Sequence, residues 1–217
     1  VDLLSDVRPS KSDMEELDTD SLPPVPAVKP IFVDTCRTGM TCIEDYSDST
    51  LRGMTPFYRA LAEVSSKGRL VRIAVFGDSF IEADIFTADL REMLQKRFGG
   101  CGVGFVTITS MTNGYRPTVR VNRGEIQNHR FAPNGHLQEL QIDGRIGSIR
   151  WTINRADSSL FYGMAMDGTE GIVVDNFSLR GSSGLSLRTI PADMLKEFNR
   201  QRPYDLIILL YGLNVAT

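Results

Sequence analysis

The apolar positions of this chain fall into short runs of two kinds. Residues 69–76 (RLVRIAVF) place β-branched side chains at Val71, Ile73 and Val75, then stop at Gly77-Asp78-Ser79. A run of that length and composition, ended by a small residue, predicts a buried strand. Residues 204–211 (YDLIILLY) repeat the pattern and stop at Gly212-Leu213-Asn214, which predicts a second buried strand over 205–211. Ile-Val-Val-Asp at 172–175 predicts a third. Other runs carry helical spacing. From Thr55 onward Phe57, Leu61 and Val64 share a face, and Gly68 suits the stop. Ile85, Leu90, Met93, Leu94 and Phe98 predict a helix over Asp84–Phe98 with that stripe in the core. Leu187–Asn199 holds a helix begun near Pro191. Strands alternating with helices predict an α/β fold: a mostly parallel sheet with helices on both faces, and a ligand site outside the carboxyl ends of the strands.

Two regions depart from that alternation. Residues 1–30 are rich in Asp, Glu, Ser and Pro and read as an extended, unpacked leader, which we extend to residue 42. Over 105–171 helical periodicity gives way to short alternating runs (TVRVN, LQELQI, SIRWTIN, SLFYGMAM) separated by Gly, Asn and Asp turns. That texture predicts an all-β insert. The expected organisation is therefore a leader over 1–42, α/β segments over 43–104 and 172–217, and the insert between them. The glycine-rich GGCGVGF at 99–105 follows a helix and lacks Gly-Lys-Ser/Thr, so it is read as a helix cap and turn, not a phosphate loop.

Composition narrows the function. At 217 residues, 41% hydrophobic and 24% charged, the chain can bury one substantial core. A net charge of −3 gives no footprint for nucleic acid. No apolar run approaches a transmembrane span. The chain opens on Val1 without a signal-peptide pattern, as a mature or trimmed sequence would. Cys36 and Cys42 flank Gly39 and are read either as a small-loop disulfide or as two thiols. Neither belongs to a tetrahedral metal set, and no cofactor is expected. Cys101 is expected to be a small packed residue.

The two strand ends carry the candidate chemistry, a hydroxyl at Ser79 and a carboxamide at Asn214. With residues 172–184 (IVVDNFSLRGSSG) between them, the chain resembles the SGNH (GDSL-type) hydrolases. Gly77-Asp78-Ser79 matches that family's first block, although Phe80 replaces the usual Leu. Asn176 with Gly181 fits the second block best, with Gly184 the rival, and Gly212-Leu213-Asn214 matches the third. The fourth block, Asp-x-x-His, occurs nowhere in the chain. Only His129 and His136 are present, in a polar segment where they read as solvated surface residues.

The resemblance implies a three-layer SGNH-like sandwich and a serine esterase. Ser79 would attack an ester carbonyl, and the oxyanion would be held by the Ser79 and Gly181 N–H groups and the Asn214 amide. Asp78 is expected to brace its turn through backbone N–H groups. The His block and a closing helix would lie beyond Thr217, so the chain reads as the front part of a hydrolase, with the C-terminal remainder as a partner. Position and texture of the insert resemble bacterial enzymes that deacetylate cell-wall glycans, which implies an acetylated glycan substrate and a periplasmic or secreted protein. Trp151 is read as a sandwich-core residue, with Tyr115 and Arg116 as alternative sugar contacts. A non-catalytic glycan-binding protein on the same fold and an acyltransferase are the rival readings.

Overall fold

The computed structural model describes residues 39, 44–47, 50, 52–107, 115–119, 143–145, 149 and 161–215. The leader up to residue 38, Cys36, Cys42, Trp151, both histidines and most of the insert lie outside the described residues. The chain divides into two compact units, Val1–Tyr58 and Arg59–Thr217. In the first, the Asp45 carboxylate accepts the backbone N–H groups of Ser47 (2.9 Å) and Gly53 (2.8 Å) and closes a loop.

The second unit holds an α/β core. Helix α1 (Thr55–Lys67) crosses the boundary between the units and ends where Gly68, at φ +63°, returns its N–H to the Val64 carbonyl. Strand β1 (Leu70–Gly77) follows at once, with Val71, Ile73, Ala74 and Val75 buried. It lies at the centre of a three-stranded sheet, with β4 (Gly171–Ser178) on one side and β5 (Leu206–Leu210) on the other. Both pairings are parallel, in registers Val75↔Asn176 and Gly77↔Leu210, so the sequence signals after all three strands emerge along one sheet edge. Strands β2 (Gly104–Thr107) and β3 (Gly163–Met166), from the two margins of the expected insert, pair antiparallel in a separate ribbon.

Three expectations need correction. Helix α2 runs Thr87–Phe98, not from Asp84, because Ala83 (φ 58°) and Asp84 (φ 64°) are left-handed and break the chain into a 3₁₀ turn over Glu82–Asp84. Its buried residues are Thr87 and Arg91, whereas Ile85 and Met93 stand 68% and 71% exposed. The helix thus meets the sheet through a polar stripe. Strand β5 is also less buried than its LIILL sequence predicts: Ile207 and Leu209, two apart and so on one face of the strand, are 58% and 62% exposed. Cys101 is exposed, not packed.

The glycine run after α2 serves close approach. Gly99 (φ +83°) caps the helix on the Gln95 carbonyl. A Cβ on Gly100 would sit 2.4 Å from the Ile172 nitrogen, so the chain can pass along the start of β4 only without a side chain there. On the face of β4 that carries Phe177, an aromatic cluster closes the core: Phe76 stacks on Phe177 at 4.8 Å, and Phe105, Phe198 and Tyr204 complete it. Phe198 belongs to α3 (Ala192–Gln201).

Candidate functional site

Strand β1 delivers Ser79 to the sheet edge, and the turn around it is fixed from both sides. Gly77 must be a glycine, since a Cβ there would lie 2.8 Å from the Leu210 carbonyl oxygen and 3.1 Å from the Ile81 side chain. Asp78 is buried and braces the turn: its Oδ1 accepts the Phe80 N–H at 2.9 Å. Its Oδ2 accepts Asn214 Nδ2, also at 2.9 Å. Ser79 sits half-buried between these anchors.

The other two segments converge on the same turn. The Gly77 carbonyl accepts the Leu179 N–H at 2.9 Å, tying the end of β4 to the end of β1. A tight turn follows, closed by Ser182 N–H on the Leu179 carbonyl, with Gly181 exposed inside it at φ +75°. Asn214 Nδ2 donates its second hydrogen to the Ser182 carbonyl at 3.2 Å. One carboxamide therefore links the Ser79 turn and the Gly181 turn. The geometry also separates the two candidate glycines. The Gly184 N–H is spent on Ser182 Oγ (3.0 Å), and a Cβ on Gly184 would meet the Tyr211 ring at 3.3 Å. Gly184 packs and caps, which leaves Gly181 as the candidate N–H donor. Tyr211 has its hydroxyl pKa raised, first by burial; a hydrogen bond with Ser182 opposes this and the Asp78 charge adds to it.

Behind the serine turn lies a buried ionic cluster that the sequence reading missed. Asp84 Oδ1 accepts from Thr87 Oγ1 (2.7 Å) and Asn176 Nδ2 (3.1 Å). Its Oδ2 faces Arg91 Nη1 (3.1 Å), Arg116 Nη2 (2.8 Å) and Thr118 Oγ1 (2.5 Å). Arg91 continues to the Val174 carbonyl at 3.1 Å. Asn176 also reaches the Ile81 carbonyl at 2.6 Å, so it ties β4 to the serine turn instead of facing the site. Arg116 is likewise no sugar contact: it points inward, while Tyr115 is 83% exposed. The missed signal was a polar stripe at helical spacing, Asp84, Thr87 and Arg91, inside a segment read for its apolar face. At the rim, Arg180 Nη2 stands 2.6 Å from Glu82 Oε2 and joins the two loops electrostatically.

Burial alone would raise the Asp84 pKa, but the hydrogen bond and charge of Arg91, with Thr118 and Arg116, outweigh it and hold the carboxyl at about 2. A carboxyl depressed in the fold contributes stability above its ordinary value near 3.8 and loses it as pH falls toward 2. The contribution is about 2 kcal/mol. Urea midpoints should therefore drop between pH 4 and pH 2 more steeply than in Asp84→Asn; parallel curves would refute this assignment.

Among the described residues no group of His, Cys, Asp and Glu could hold a metal ion, and no helix is long and apolar enough to cross a membrane. No protein-family model matches the chain, and no curated protein or solved structure matches it.

Proposed function

We propose that this chain carries the nucleophile side of an SGNH-type serine esterase that removes O-acetyl groups from peptidoglycan or another polysaccharide outside the cytoplasm. The observation that carries the reading is the bridge by Asn214, whose amide holds Asp78 at 2.9 Å and the Ser182 carbonyl at 3.2 Å. It gathers the three segments that resemble the family's blocks at the carboxyl edge of a parallel sheet, where such folds bind ligands. Ser79 Oγ attacks the ester carbonyl, and the tetrahedral oxygen is held by the Ser79 and Gly181 N–H groups. Asn214 joins them by exchanging its longer bond, to Ser182, for the oxyanion.

The Ser79 proton needs a base. His129 and His136 lie outside the described residues. The reading requires an Asp-x-x-His block, and residues 1–217 contain none. The same lack favours a second reading, a glycan-binding protein that keeps the fold without catalysis.

A serine-directed fluorophosphonate on the native gene product separates the two. The esterase reading expects one label, on the peptide that contains Ser79. No label, together with saturable polysaccharide binding and no acetate release, would replace it with the binding-protein reading.

A further inference from the structure

Asp84 needs only one buried cation for charge balance, and Arg91 supplies it from α2 with a side chain 4% exposed. Arg116 brings a second, 10% exposed, and leaves the buried trio with a net positive charge. Burying an extra charge is costly unless its hydrogen bonds offset the lost solvation. Arg116 Nη2 is itself imperfectly satisfied, close to Asp84 Oδ2 but without hydrogen-bond geometry. This expensive arrangement sits under the most strained backbone among the described residues, the left-handed pair Ala83-Asp84, where each non-glycine residue costs about 1–3 kcal/mol. That pair lies four and five residues after Ser79.

Arg116 and Thr118 also come from elsewhere. They belong to the segment 115–119, beyond β2, whereas the other partners of Asp84 among the described residues lie on α2 or β4. Arg116 Nε donates to both Asp84 Oδ2 and Thr118 Oγ1, each at 3.0 Å, so the two residues act as one clamp. Thr118 Oγ1 closes it on the same carboxylate oxygen.

We infer that Arg116 and Thr118 are positioning residues: together they hold Asp84, and through it the Ala83-Asp84 backbone, in the one conformation that presents Ser79 at the sheet edge. The segment that begins the β-rich region is thereby coupled to the nucleophile turn. Its consequence for turnover rests on the esterase reading; the coupling itself does not.

The test is native-state hydrogen exchange on Arg116→Gln, Arg116→Lys and Thr118→Val. Losing a hydrogen bond to a charged group is worth about 1.5–3 kcal/mol, about 10- to 150-fold in opening. Arg116→Gln should speed exchange at residues 80–86 by that factor while residues 72–76 of β1 stay within about twofold of wild type. Arg116→Lys should recover part of the protection. Exchange at 80–86 unchanged, or raised no more than in β1, would overturn the inference. If Arg116→Gln fails to fold, Thr118→Val decides by the same comparison. In the full-length protein the same variants should lower kcat for an aryl acetate with KM unchanged, since misplacing a reacting group by about 1 Å costs up to about 100-fold. A loosened turn in a protein whose wild type releases no acetate would leave the coupling standing and remove the esterase reading alone.

Discussion

Ser79→Ala is expected to cut acetate release from an aryl acetate by at least about three orders of magnitude in the complete protein. A serine esterase works through an acyl-enzyme, so deleting the hydroxyl removes the intermediate, not merely a binding contact. The fold, by contrast, asks little of this side chain. Asp78 braces the turn through Phe80 and Asn214, and Asn176 holds it at the Ile81 carbonyl, none of them through Ser79. The variant should therefore keep its unfolding free energy, from urea titration, within about 0.5 kcal/mol of wild type. Lost turnover with unchanged stability assigns the chemistry to Ser79. Undiminished turnover would place the nucleophile elsewhere, and lost turnover with a lost fold would make Ser79 structural.

How legible this arrangement is in the sequence depends on the range of the forces involved. The strands β1, β4 and β5 and helices α1 and α3 stand where apolar periodicity and turn residues put them, because burial of a continuous apolar run and the stop at a glycine are local signals. The motif ends at Ser79, Gly181 and Asn214 could be placed on one sheet edge by counting strands alone. What could not be read was pairing across the chain. Nothing local in Arg116 distinguishes a sugar contact on a loop from a buried partner of Asp84, 32 residues away. Nor does local patterning reveal that α2 would turn Thr87 and Arg91 inward and leave Met93 in solvent. A buried charge needs a specific distant partner, and periodicity has no memory of one. Spacing favours Gly181 over Gly184, but that the Gly184 N–H is engaged by the Ser182 hydroxyl was not legible locally.

Asp175→Ala should be strongly destabilising, costing about 3–5 kcal/mol. Asp175 and Asn176 are neighbours on β4, so their side chains leave opposite faces of the sheet. Asn176 serves the nucleophile turn. Asp175, fully buried, serves the scaffold: Oδ2 takes Arg202 Nη2 at 2.9 Å and the Tyr204 hydroxyl at 2.5 Å, while Oδ1 takes the Phe105 N–H at 2.7 Å. Burial first, and then the Asp175 charge, drive the Tyr204 hydroxyl well above its ordinary pKa, so this phenol remains a donor throughout the accessible range. Removing the carboxylate orphans a backbone N–H, a phenol and half of a guanidinium at once. Arg202 keeps Asp167, at 2.8 Å, but that partner is already shared with Arg72 at 3.5 Å. The loss should appear as a lower urea midpoint at unchanged slope, the mark of reduced stability in a two-state transition. Because most of the cost is the stranded cation, Asp175→Ala combined with Arg202→Met should be less destabilised than Asp175→Ala alone. If the double variant is the weaker of the two, Arg202 contributes through its packing or through Asp167, and the Asp175 pair is not what holds this face of the sheet.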